Sequence, residues 1–107
     1  MSDFESVLRY TELLSLYQNL LSKTQREILT DYYFYNLSFS EIAENRQITR
    51  SAVEDAIKKG KNKLNSLEEQ LCSLKVINEL HKIKAESNDE KLNDKLDELE
   101  RIMKHGI

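Results

Sequence analysis

A chain of 107 residues is the size of one domain with room for a helical extension, and it is long enough to bury a real core. Proline is absent and glycine occurs only at Gly60 and Gly106, too few turn residues for a strand-rich fold, so the expected class is all-α. The formal charge of −3, the short apolar runs and the polar N-terminus argue against a membrane span or a secretory signal. A single cysteine, Cys72, suits a reducing compartment, so a cytoplasmic protein is expected.

The first helix is predicted to begin after Ser2 or Asp3 and to run to about Gln18. Phe4, Val7, Leu8, Leu14 and Tyr17 recur at helical spacing on its apolar face, with Arg9, Glu12 and Ser15 facing water. Ser22, with Gln25 at the capping-box position, opens a second helix that ends near Asn36, a residue tolerant of helix-terminating conformations. Of the aromatic run Tyr32, Tyr33, Phe34 and Tyr35, the first two are expected to pack under the helices that follow. The alternative is a stacking platform for single-stranded nucleic acid.

The next stretch, Leu37 to Lys59, reads as two short helices joined by a tight turn. Ser38 with Glu41 forms a second capping box, and Thr49 is placed to cap a helix from Arg50 onward. Ile42, Ala43, Ile48, Val53 and Ile57 fall where two crossed helices would share a small core. This is the pattern of a helix-turn-helix, whose second helix enters the DNA major groove. Charge agrees with that placement: residues 1–45 sum to −4, residues 46–63 to +4 and residues 64–107 to −3.

Val53, Ile57, Gly60, Leu64, Leu67, Leu71 and Leu74 continue as a heptad seam. Gly60 within it marks a close helix crossing or a bend. The seam loses phase after Leu74, which predicts a corner near Cys72–Lys75, with Cys72 itself read as a small buried hydrophobe. A polar joint follows, with Ser87 or Asn88 as the cap of a last helix. That helix carries a narrow stripe of Leu92, Leu96, Leu99 and Met103, suited to packing on the chain's own body or on a second copy. Two units are therefore expected: residues 1–71 as the helix-turn-helix domain and residues 72–107 as a helical extension.

Nothing points to catalysis, a metal or a cofactor. His81 and His105 are 24 positions apart and match no metal-ligand spacing, and no glycine-rich phosphate loop is present. The adjacent acids Glu68/Glu69, Asp89/Glu90 and Asp97/Glu98 diverge around their helices and read as solvated surface. If the fourth helix enters a groove, Arg50, Ser51 and Glu54 on its first turns would approach base edges. Thr49, Lys58, Lys59, Lys61 and Lys63 would contact phosphates. Glu54 and Asp55 near the tip repel a duplex, which favours an alternative: the same fold used as an adaptor on a protein surface. Binding to structured RNA ranks last, because the RNA major groove is too narrow for such a helix.

The stretch from Leu13 to Leu71 closely resembles the YlxM-like family of small bacterial proteins. The most specific matches are LLxLYxxLLxxxQ at 13–25, the pair Tyr32–Tyr33, and LSxxEIAE…ITRxAVxDxIK at 37–58. The resemblance implies a fold like region four of bacterial sigma factors and a dimeric state. It also implies a regulatory link with the signal recognition particle pathway through gene neighbourhood. In the turn, the family's apolar residue and glycine are replaced by Arg46 and Gln47. The replacement removes an apolar contact and is expected to cost ~1 kcal/mol where the backbone favours positive φ.

Overall fold

The computed structural model describes residues 3–107, which form six α-helices and, among the described residues, no strand. They are α1 (Asp3–Tyr17), α2 (Lys23–Tyr33), α3 (Phe39–Arg46), α4 (Arg50–Leu71), α5 (Ser73–Glu86) and α6 (Glu90–His105), with one 3-10 turn at Gln18–Leu20. Local chemistry sets most of the starts. Ser22 Oγ accepts the Gln25 N–H at 3.2 Å, and the Gln25 side chain accepts the Ser22 N–H in return. The same reciprocal box closes between Ser38 and Glu41, both bonds at 3.1 Å. Thr49 Oγ1 accepts the Ala52 N–H at 3.0 Å and opens α4.

Helix α4 is the axis of the molecule. Its 22 residues span about 33 Å, and α1, α2 and α3 all pack against it. Leu13, Leu14, Tyr17, Leu21, Ile28, Leu29, Ile42, Ala43, Val53, Ile57 and Leu64 form one continuous core. Gly60 marks a crossing and not a bend. It is buried inside an unbroken helix, and a Cβ built there would stand 2.6 Å from Leu29 Cδ1 of α2. Helix α1 runs parallel to α4, because Tyr10 meets Asn65 and Tyr17 meets Glu68.

The corner between α4 and α5 falls at Cys72, whose φ of 55° lies in the left-handed region. Glu68 holds it from within the last turn of α4. Its Oε1 accepts the Tyr17 hydroxyl at 2.6 Å and the Leu74 N–H at 3.0 Å, and its Oε2 accepts the Lys75 N–H at 3.1 Å. Tyr17 Oη in turn accepts the Ser73 N–H at 3.2 Å. Helix α6 then returns antiparallel to α5, as the pairs His81–Glu100 and Lys84–Asp97 require. The whole molecule is elongated, 53 × 27 × 22 Å.

Several expectations are corrected. Phe4, Val7 and Leu8 are exposed, 75%, 45% and 48% respectively, so the first turns of α1 contribute nothing to the core. Ile48 stays at the rim of the turn, and Leu71 is exposed in the last turn of α4. Cys72 is exposed at the corner, where it ends α4 in a left-handed conformation. The cap of α6 is Asp89 and not Ser87 or Asn88: its Oδ1 accepts the Lys91 and Leu92 N–H groups. Ser87 instead accepts the Asp89 N–H. Four of the acids read as solvated surface therefore have specific partners: Glu68 at the corner, Asp89 at the cap, Asp97 across the hairpin and Glu98 with Arg101 one turn on. The last-helix stripe divides, with Leu96 buried, Met103 half-buried and Leu92 and Leu99 exposed. Ser2, one of the two expected starts of α1, lies outside the described residues.

Candidate nucleic-acid interface

Helix α3 ends because Gln47 takes up a left-handed conformation, φ 55° and ψ 46°, the position where glycine would be at ease. The Ile48 N–H then closes on Ala43 O at 3.0 Å, and Thr49 restarts the chain as the cap of α4. Arg46 makes a fork of ionic hydrogen bonds. Its Nε donates to Asp31 at 2.7 Å and its Nη1 to Glu27 at 2.9 Å, tying α3 to α2. The Asp31 bond leads, with Glu27 adding, in holding the guanidinium above its usual pKa. Glu27 and Asp31 lie four apart on α2, so a carboxylate pair was visible in the sequence. Its partner, in a different helix, was not.

The first turns of α4 stand away from the core. Val53 and Ile57 are buried beneath them, whereas Thr49, Arg50, Ser51, Glu54, Asp55, Lys58 and Lys59 are exposed. At about 100° per residue, Arg50, Ser51, Glu54, Lys58 and Lys61 share one flank of roughly 100°, while Lys59 and Lys63 point around the far side. The exposed part of α4 is not an open row of cations. Arg50 Nε lies 3.3 Å from Glu54 Oε1, and Lys59 Nζ lies 3.0 Å from Asp55 Oδ2. The Arg50 guanidinium also lies 5.9 Å from the centre of the Phe39 ring.

Beside this flank runs an aromatic row. Tyr10 stacks on Tyr33 with ring centres 5.8 Å apart, Tyr33 meets Tyr32 edge-on at 4.9 Å, and Tyr32 lies 5.2 Å from Phe39. Lys61 Nζ sits 4.8 Å above the Tyr10 ring, so this lysine is half-buried and not extended into solvent. Burial, reinforced by Tyr32 and Tyr10, pushes the Tyr33 hydroxyl well above its ordinary value. Tyr32 and Tyr33 thus lie against Tyr10 and Phe39, while Phe34 and Tyr35 are exposed at the helix end. A groove of about 460 Å³ opens here, lined by Tyr10, Phe39, Glu54, Ile57, Lys58, Lys61 and Asn62. Sequence reasoning missed Tyr10, Phe39 and Asn62. The spacing Lys58–Asn62 on one helix face was available as a signal, but the approach of Tyr10, 51 positions before Lys61, was not.

Among the described residues no group of three or more His, Cys, Asp and Glu side chains is placed to hold a metal ion. No described helix is long and apolar enough to cross a membrane.

Residues 4–104 match the family described as "Putative helix-turn-helix protein, YlxM / p13 like". A UPF0122 protein of Malacoplasma penetrans is 42% identical over 88 residues, which is 82% of each chain. A UPF0122 protein of Listeria welshimeri is 32% identical over 108 positions, covering 92% of this chain and 98% of its own. A Bacillus cereus relative is 34% identical over 97 residues, with 86% and 88% coverage. With nearly its whole length matched and its turn geometry in place, the chain belongs to the YlxM / p13-like helix-turn-helix family.

Proposed function

We propose that this protein is a DNA-binding regulator that reads duplex DNA with α4. The observation that carries the reading is the presentation of α4: a Thr49-capped helix whose first turns project Arg50, Ser51, Glu54 and Lys58 on one exposed flank. Val53 and Ile57 hold that helix to the body. In this reading Arg50, Ser51 and Glu54 approach base edges, arginine toward guanine and glutamate toward a cytosine amine. Thr49 and the lysines Lys58, Lys59, Lys61 and Lys63 contact phosphates. Residues 1–71 act as the reading unit and residues 72–107 as a dimerising extension, with the exposed Leu92, Leu99 and Ile102 as the apolar surface a second copy would cover. A sedimentation measurement that gave a monomer at high micromolar concentration would remove the dimer. The regulated genes belong to protein targeting in this reading, on the strength of the family resemblance to proteins encoded beside the signal recognition particle GTPase. The proposed site of action is the cytoplasm.

The test is selection of the purified protein against a random duplex pool at about 0.1 M salt, with Arg50→Ala in parallel. A motif enriched by the wild type and lost by the variant supports base reading by Arg50. No enrichment by a folded, helical protein would reject it.

A second reading is favoured by the two ion pairs on α4. Because Arg50 and Lys59 are each paired with an acid, the exposed face carries a mixed pattern suited to a protein surface of alternating charge. As an adaptor on the targeting machinery or on RNA polymerase, the protein would form a stable complex in a pull-down and show no duplex binding at physiological salt.

A further inference from the structure

We infer that the groove between α1 and α4 is a phosphate track, in which Tyr10, Lys58, Lys61 and Asn62 grip the DNA backbone beside the bases approached by Arg50. The inference rests on the duplex-binding reading and adds to it a contact surface on α1, outside the helix-turn-helix.

Hydrogen-bond accounting makes Tyr10 a donor. Its hydroxyl oxygen accepts the Asn65 Nδ2–H at 2.9 Å, which leaves the hydroxyl hydrogen to be given elsewhere. The ring is fixed on one face by Tyr33 and covered by Lys61, so the hydroxyl is held in place before any ligand arrives. A ring face attracts an ammonium without neutralising it, so Lys61 keeps its full charge and its donors. Lys58 lines the same groove, and among the described residues neither lysine has a carboxylate within ion-pair distance. Arg50 and Lys59 do have one each. The unneutralised positive charge of this flank is therefore concentrated in the groove, together with the Asn62 amide.

The one acid on the rim, Glu54, is bonded to Arg50 at 3.3 Å. That contact offsets its repulsion of an incoming anion. Two ammonium groups without a carboxylate partner, a preset hydroxyl donor and one acid already engaged by Arg50 describe a site for a phosphate and not for a cation or an apolar side chain. Phe39 at the start of α3 closes the groove on the side where Arg50 lies. A backbone strand lying there would thus run alongside the base-reading residues.

The experiment is fluorescence anisotropy of a labelled random-sequence duplex, titrated with the full chain across a salt series. Four variants are compared with the wild type: Tyr10→Phe, Lys61→Gln, Lys61→Arg and, as a control, Lys82→Gln. Tyr10→Phe keeps the stacked ring and is expected to weaken binding about tenfold, since it removes a hydrogen bond to a charged group. Lys61→Gln should lower the slope of log affinity against log salt by about 1, and Lys61→Arg should restore it. Lys82→Gln, on α5 outside the reading unit, should leave both the slope and the Tyr10-dependent affinity unchanged. Wild-type binding that is unaltered by Tyr10→Phe and Lys61→Gln would overturn the track while leaving the duplex reading in place. A folded wild type with no salt-dependent duplex binding would overturn both.

Discussion

Gln47 is the residue on which the geometry of the turn depends. It holds φ 55° without the freedom of glycine, a conformation that a side chain with a Cβ adopts at a cost of about 1 kcal/mol. Its neighbour Arg46 offsets that cost through Asp31 and Glu27, at distances typical of strong charge-assisted bonds. Gln47 and Arg46 therefore act in opposite directions: one strains the turn, and the other ties α3 to α2. Gln47→Gly is expected to stabilise the protein by about 1 kcal/mol, read as a higher urea midpoint at unchanged slope. An unchanged or lower midpoint would mean that the Gln47 side chain makes a compensating interaction in the folded state.

At the scale of elements, α4 crosses closely over α2 at Gly60. A methyl group there meets Leu29 Cδ1 at 2.6 Å and Cγ at 3.1 Å, and Leu29 is fully buried, so the side chain has nowhere to withdraw. Alanine is the better helix former by about 1 kcal/mol, but overpacking a closed core costs about 1–3 kcal/mol. The clash should win. Gly60→Ala is expected to lower stability by up to about 2 kcal/mol in chemical denaturation, and a stabilised variant would show that α2 and α4 can separate freely.

The same comparison explains how much the sequence disclosed. The starts of α2, α3 and α4 were legible because Ser22, Ser38 and Thr49 each act on the amide three residues away. The corner near Cys72 was legible because the heptad seam loses phase there. The agents that hold the corner were not, since Tyr17 and Glu68 are 51 positions apart and nothing local marks them as partners. Phe4, Val7 and Leu8 misled for a related reason: periodicity reports which face of a helix is apolar, not whether another helix reaches it. The flank bearing Arg50, Ser51, Glu54 and Lys58 followed from helical spacing, whereas the groove required knowing that α1 lies against α4.

Over the whole molecule, long-range ties run through tyrosine hydroxyls, and this gives stability a definite dependence on alkaline pH. Burial, together with the hydrogen bond to Glu68, raises Tyr17 above its ordinary value near 10, and burial raises Tyr33 further. A raised tyrosine keeps its proton in the folded chain at a pH where the unfolded chain has released it. The folded state then binds more protons, so unfolding free energy falls with rising pH. The stabilising contribution is complete below about pH 10 and is lost as pH climbs through the folded-state values. Ionised Tyr17 would also face the Glu68 carboxylate it now donates to, which breaks the link between α1 and the α4–α5 corner. Lys84, raised by its bond to Asp97, loses its charge in the same direction and loosens the α5–α6 hairpin. Urea midpoints should therefore be flat between about pH 8 and pH 9.5 and fall steeply beyond pH 10. Tyr17→Phe should start from a lower midpoint, because Glu68 and the Ser73 amide each lose a partner, yet it should fall less steeply above pH 10. Parallel curves for the two proteins would place the alkaline sensitivity in Tyr33 and the hairpin and remove Tyr17 from the account.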